Sequence, residues 1–149
     1  MGCDRMVGVA STKERSALLA TIPLFSGLSR RKLSTIAAAS RVRQVERYTK
    51  LVSQGDTGDT CFLLLDGTAE VRHDGQLVVE LARGSVFGEL ALLDGGERLA
   101  DVIMTSTGEV LEVRKAGFDA LMRESPDAVR TVMAQLASRL RESELRRFA

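Results

Sequence analysis

The sequence predicts a mainly β fold with helices at both ends, and three observations carry that prediction. Between residues 42 and 114, apolar runs of strand length alternate with turn residues, and Asp74-Gly75 stands as a hairpin signal between 69–72 and 77–81. On either side of that stretch the apolar spacing lengthens to three and four, the helical period. From Pro126 onward no Gly or Pro interrupts the chain, so a long final helix is expected. Many short strands at this spacing favour a sandwich or a barrel. At 149 residues the chain is long enough to bury a proper core.

Taken in order, residues 1–11 lack periodicity and are expected to form a mobile leader. A short helix over 12–20 follows, with Thr12 able to cap it. Pro23 in Ile22-Pro23-Leu24-Phe25 ends that helix. Ser29 caps a second helix whose Leu33, Ile36 and Ala37 share one face, and Arg30, Arg31 and Lys32 at its start read as a solvated face. The apolar run 61–65 ends at Asp66-Gly67 and has strand length. Residues 102–106 and 110–113 flank Thr107-Gly108 and suggest a second hairpin. After Lys115 the helical period returns over 116–123. Ser125-Pro126-Asp127 then starts the long helix, with Ser as cap, Pro in the first turn and an acid near its positive end.

Ligand-type groups concentrate in Phe87-Gly88-Glu89-Leu90-Ala91-Leu92-Leu93-Asp94-Gly95-Gly96-Glu97-Arg98-Leu99-Ala100. Gly88 lets backbone N–H groups approach a partner closely. Residues 90–93 can form one helical turn, whose free N–H groups would favour an anion. Arg98 returns after a Gly-Gly bend, and its planar fork can hold two phosphate oxygens at once. Glu89 repels a phosphate and is better suited to accept a hydrogen bond from a hydroxyl. On residue types alone, a surface loop with an ordinary acid and an ordinary base stands beside this reading.

This segment resembles the phosphate-binding cassette of the cyclic nucleotide-binding domains, which occur in catabolite-activator-type regulators, regulatory subunits of cyclic-AMP-dependent kinase and gated channels. There it reads roughly F-G-E-L-A-L, a short variable loop, then R-[STA]-A. Gly88, Glu89, Leu90, Ala91, Arg98 and Ala100 match. The resemblance runs from Ile22-Pro23-Leu24-Phe25 to the last helix, with Gly55-Asp56, Gly58, Gly67 and Gly84 at the family's turn glycines. It implies an eight-stranded β-roll, a double-stranded β-helix of jelly-roll type. The corresponding division is one domain over 12–149, with N-terminal helices at 12–41, the roll at 42–114 and C-terminal helices at 115–149.

The same resemblance implies Arg98 and backbone N–H groups on a cyclic phosphate and Glu89 on the ribose 2′-hydroxyl. Val71 and Val78 align with apolar positions against the base. Arg139 aligns with an arginine that pairs with the ribose-binding Glu, and Ser143 with a Thr that bonds the adenine amino group, while Glu144 replaces a neighbouring Ser. Two residues depart from the pattern. Leu99 stands where relatives carry Ser, Thr or Ala, so a hydroxyl contact is lost and a bulkier side chain must fit. Tyr48 stands where a turn Gly is common.

The implied function is a regulatory domain that senses a cyclic nucleotide and couples binding to movement of the C-terminal helix. Leu99 lacks the hydroxyl that favours guanine, so cyclic AMP (cAMP) is the expected ligand and cyclic GMP (cGMP) the second. The alternative is a degenerate pocket in a protein-interaction or dimerisation module. Val129, Val132, Met133, Leu136, Ala137 and Leu140 form an apolar stripe that suits either packing on the roll or a homodimer seam. An effector protein or domain is a further expected partner. The family's regulators carry a helix-turn-helix beyond this helix, and the sequence given stops at Ala149, so no nucleic acid is expected to bind by that route.

Composition argues in the same direction. The net charge of +1 gives no global pull toward nucleic acid or anionic membrane, and with no Trp and few aromatics there is no stacking platform. The interleaved Arg139, Arg141, Glu142, Glu144, Arg146 and Arg147 suit an i,i+4-laced helix better than a phosphate stripe. Cys3 and Cys61 have no metal-ligand spacing, and they read as reduced thiols of a cytoplasmic protein. Met6 stands where a myristoylation signal starting Met1-Gly2-Cys3 needs Ser or Thr. No run is long enough for a membrane span. No nucleophile–base pair, metal cluster or Walker-type loop is present, so an enzyme is not expected.

Overall fold

The computed structural model describes residues 11–148. The expected leader therefore lies outside the described residues, apart from Ser11. Ser11, not Thr12, caps the first helix, α1 (Thr12–Leu19): its hydroxyl accepts from the Glu14 N–H, and the Glu14 carboxylate accepts from the Ser11 N–H. This reciprocal capping box satisfies two amides that a Thr12 cap would leave open. A 3-10 turn at Pro23–Phe25 leads to α2 (Arg30–Ala37), capped by Ser29 through the Lys32 N–H. Leu33, Ile36 and Ala37 are buried together on one face.

Eight strands follow: β1 (Ser40–Val45), β2 (Lys50–Val52), β3 (Thr60–Asp66), β4 (Ala69–His73), β5 (Gln76–Leu81), β6 (Val86–Phe87), β7 (Asp101–Met104) and β8 (Gly108–Arg114). They form two four-stranded antiparallel sheets, ordered β1-β8-β3-β6 and β2-β7-β4-β5. The unbroken apolar run in β3 now has its reason. Phe62 and Leu64 fill the space between the sheets with Val45, Phe87, Val102, Met104 and Val110. Cys61 and Leu63 face the other way, toward Phe25, Ile36, Phe118 and Leu121 of the helical layer. With both faces buried, the strand has no polar face and cannot alternate.

Asp74 and Gly75, at φ of 51° and 80°, close the β4–β5 hairpin with His73 paired to Gln76. Two successive positive φ values match the right-handed twist of the flanking strands. The second expected hairpin does not form. β7 pairs with β2 and β4, whereas β8 pairs with β1 and β3, so 105–107 is a corner between sheets. It runs beside the corner after β3: Thr105 N–H donates to the Thr68 carbonyl at 2.9 Å, and Thr68 N–H to the Ser106 hydroxyl at 3.0 Å. The β3–β8 pair thus bends as a unit into the β4–β7 pair. A local Gly signal cannot separate such a corner from a tight turn.

Tyr48 holds a left-handed backbone at φ 72° with its ring exposed, and its N–H donates to the Met104 carbonyl at 2.8 Å. That conformation costs a non-glycine residue about 1–2 kcal/mol, against about 0.5–1 kcal/mol of extra chain entropy for Gly. Tyr48→Gly is therefore expected to melt above Tyr48→Ala by a few degrees, about 0.5–1 kcal/mol, reversing the order found at ordinary positions. Paired thermal melts check this.

Two helices complete the described chain, α4 (Lys115–Glu124) and α5 (Pro126–Phe148), and the Ser125 hydroxyl accepts from the Ala128 N–H at their junction. The α5 stripe divides. Val132 is buried and Leu136 packs beside it, with Ala128, against the helical core, while Met133 and Leu140 are exposed. No helix among the described residues is long and apolar enough to cross a membrane.

Candidate functional site

One cavity of about 280 Å³ gathers most of the singled-out residues: Gly88, Glu89, Leu90, Ala91, Arg98, Leu99, Ala100, Val71 and Arg139. Val52, Val86, Phe87, Glu97 and Val102 complete its wall. Val52, Val86 and Val102 are strand residues outside the cassette, and their inward facing becomes readable only once the register is known. Glu97 is exposed and adds a second carboxylate next to Arg98 in the chain.

The polar side of the cavity starts where β6 ends. Gly88 takes φ 80° and begins α3 (Glu89–Asp94), a helix whose first amides have no side-chain cap. A Cβ on Gly88 would sit 2.6 Å from Arg98 Nη1 and 2.9 Å from the Thr60 carbonyl. One on Gly58 would collide with the same guanidinium. The two missing Cβ atoms thus open the slot that Arg98 occupies, a role the sequence did not disclose.

Arg98 is fixed at both ends. Its N–H donates to the Asp56 carbonyl at 2.7 Å, and its carbonyl accepts from the Gly55 N–H at 2.9 Å. Its Nη2 donates to the Thr60 carbonyl at 2.8 Å, and its guanidinium lies 6.0 Å from the centroid of Phe62. Nη1 is buried and has no hydrogen-bond partner among the described residues. Burial lowers the Arg98 pKa, and the charge of Asp59 opposes that shift. The side chain remains a cation at neutral pH. A buried donor without an acceptor is costly, so this end of the cavity calls for an acceptor, most favourably an anion.

Glu89 is nearly buried, and one of its oxygens, Oε2, accepts from Arg139 Nη1 of α5 at 3.0 Å. The ion pair joins α3 to the last helix across 50 residues of sequence. Beneath it, Cys61 is fully buried. Burial, and then the Glu89 carboxylate, push its pKa up, so the thiol stays protonated and is no nucleophile. Among the described residues no group of three or more His, Cys, Asp or Glu side chains could hold a metal ion.

Three candidate residues lie at the rim of the cavity or outside it. Val78 lies exposed on edge strand β5, outside the cavity, as does Val79, which the register shift sets opposite Val71. Ser143 is exposed on α5, also outside the cavity. Leu99 borders the cavity, but its side chain is 71% exposed and does not fill it. The arrangement has a cation with an unused donor, a carboxylate with one oxygen engaged, and an apolar wall. It can take up a small molecule with an anionic end, hydroxyls and a flat apolar face.

Comparison with known proteins bears on the same residues. Residues 42–125 match the family described as the cyclic nucleotide-binding domain. The cyclic AMP receptor protein of Thermus thermophilus is 31% identical over 128 residues, covering 83% of this chain and 59% of the relative. The cyclic nucleotide-gated potassium channel mll3241 of Mesorhizobium japonicum is 34% identical over 110 residues, covering 74% of this chain and 30% of the channel. The crystal structure of the Thermus thermophilus catabolite activator protein superimposes with a TM-score of 0.66 at 32% identity, over 83% of this chain and 61% of that one. In each case the chain spans less than two thirds of the relative.

Proposed function

Because this chain belongs to the cyclic nucleotide-binding domain family, we propose that its cavity binds cAMP and that binding is passed on through α5. The observation that carries the reading is the buried Nη1 of Arg98, which has no partner among the described residues, in a cavity also lined by the Glu89–Arg139 pair. A cyclic phosphate supplies the acceptor that Nη1 lacks, with the amides of Gly88–Ala91 and of Leu99 and Ala100 beside it. The free Glu89 oxygen accepts from the ribose 2′-hydroxyl. The base lies against Val71 and the neighbouring valines. Val78 and Ser143 are left out of this reading unless β5 or α5 moves. Leu99 offers guanine no hydroxyl, which favours cAMP over cGMP.

The coupling rests on one geometric fact: Glu89 meets both the cavity and α5. A ligand that takes up Glu89 changes what Arg139 is bonded to, and a ligand that favours one placement of α5 shifts its population accordingly. The exposed apolar residues Met133, Leu140 and Leu145 on α5 then supply a surface for a second copy or an effector domain. The same exposed face favours the alternative reading, an interaction module that has no ligand. In either reading the domain spans 12–149 and works in the cytoplasm.

Calorimetric titration with cAMP and cGMP, paired with thermal melts, tests the proposal. Saturation with one site and preference for cAMP is expected. Ligand at 100 times Kd stabilises the native state by about 2.7 kcal/mol, which raises Tm by about 5–10 °C for a domain of this size. No heat and no shift at millimolar ligand would leave the interaction module as the reading.

A further inference from the structure

We propose that His73 is a positioning residue for the anion end of the cavity, acting through the Leu99–Ala100 peptide; this rests on the cyclic nucleotide reading. His73 ends β4 beside the Asp74-Gly75 turn, and its Nδ1 lies 2.8 Å from the Leu99 carbonyl. A carbonyl only accepts, so a hydrogen bond here requires the proton on Nδ1. The other ring nitrogen, Nε2, lies 3.4 Å from Asp74 Oδ2.

The hairpin tip that presents His73 is itself anchored. Gln54 Nε2 donates to Asp74 Oδ1 at 2.8 Å, and Gln54 Oε1 accepts from the Asp74 N–H at 2.9 Å. The Gln54 N–H donates to Asp101 Oδ1 at 2.7 Å, next to the peptide in question. The backbone of Arg98 is fixed by residues 55 and 56, and the β7 ladder starts only at Asp101, opposite Arg72. The Leu99–Ala100 peptide lies between these two fixed points, and His73 holds it from outside.

A trans peptide points its N–H opposite to its carbonyl. Holding the Leu99 carbonyl toward His73 therefore turns the Ala100 N–H to the other side, and Ala100 lines the cavity next to Arg98. Leu99 brings no side-chain donor to this place, so the orientation of the backbone amide decides whether a donor stands beside Arg98. His73 fixes that orientation from a hairpin that has no ligand-binding motif of its own.

The chain contains one histidine, so its ring signals need no assignment. In ligand-free protein, ring nitrogen NMR should show a proton on Nδ1. Titration with cAMP should show His73→Ala binding about three- to tenfold more weakly than wild type, the scale of one hydrogen bond. His73→Asn, whose side-chain N–H can stand near the position of Nδ1, should recover most of the loss at an unchanged melting temperature. An unprotonated Nδ1, an unaffected His73→Ala, or an Asn variant as weak as Ala overturns the positioning role alone. A wild-type chain that fails to bind cAMP overturns the ligand reading, and the role of His73 with it.

Discussion

Arg98→Ala is expected to weaken cAMP binding by about 100- to 1,000-fold while leaving a folded protein. The size follows from what is lost: the charge-assisted hydrogen bond from Nη1 to the phosphate, worth about 1.5–3 kcal/mol, and about 1–1.5 kcal/mol for the attraction of the part-buried cation, where each 1.4 kcal/mol is tenfold. The fold should survive because Arg98 lies outside both hydrophobic clusters and meets them only at the Phe62 ring, 6.0 Å from its guanidinium. The only hydrogen bond its guanidinium makes to the described chain is Nη2 to the Thr60 carbonyl, and the slot it vacates lies between Gly58 and Gly88 at the cavity edge. Arg98→Lys separates charge from geometry. It keeps the cation but has no fork to bond Thr60 and the phosphate together, so a loss of about 10- to 100-fold is expected. Titration calorimetry with a thermal melt of each variant reads both quantities. Arg98→Ala binding within threefold of wild type would mean that the phosphate lies elsewhere.

The cassette was legible because it is local. Gly88, Glu89, Arg98 and Ala100 stand within one short stretch, and the fold brings them to one cavity. Their physical reasons were less legible. Gly88 read as a place where backbone approaches a ligand, whereas its missing Cβ makes room for Arg98 and its positive φ turns the chain into α3. Gly58 serves Arg98 equally from 40 residues away, and nothing in its neighbourhood announces this. The Arg98–Thr60, His73–Leu99 and Gln54–Asp74 contacts are likewise products of the two-sheet topology.

The fold divides in the same way. The β4–β5 hairpin was legible because Asp74-Gly75 encodes its own turn. The β7–β8 connection was misread because a corner between sheets and a hairpin turn use the same residue types. What distinguishes them is the partner strand, and partners such as β1 and β2 lie 50 or more residues away in sequence. Val78 lies outside the cavity with the rest of β5, whose place at the edge of the sheet depends on the same strand order.

The Glu89–Arg139 pair gives the second large effect. Glu89→Gln is expected to weaken cAMP binding by about 10- to 100-fold, because a carboxylate accepting from a hydroxyl becomes an amide oxygen that accepts more weakly. If that loss comes from the ribose 2′-hydroxyl, removing the hydroxyl must remove it. Wild type should bind 2′-deoxy-cAMP as weakly as Glu89→Gln binds cAMP, and Glu89→Gln should bind both ligands alike. Equal loss on both ligands would place Glu89 in the frame of the cavity and not on the sugar. Arg139→Ala then asks about the helix. It leaves the nearly buried Glu89 carboxylate without its cation and releases the only side-chain hydrogen bond from α5 to α3 among the described residues. Amide exchange over 137–148 should rise in the ligand-free protein. Addition of cAMP should protect that segment in wild type more than in Arg139→Ala, since a signal reaches α5 only if the ligand treats its placements differently. Equal protection in the two proteins would show that α5 responds to the ligand by another route, leaving Arg139 as a clasp on Glu89.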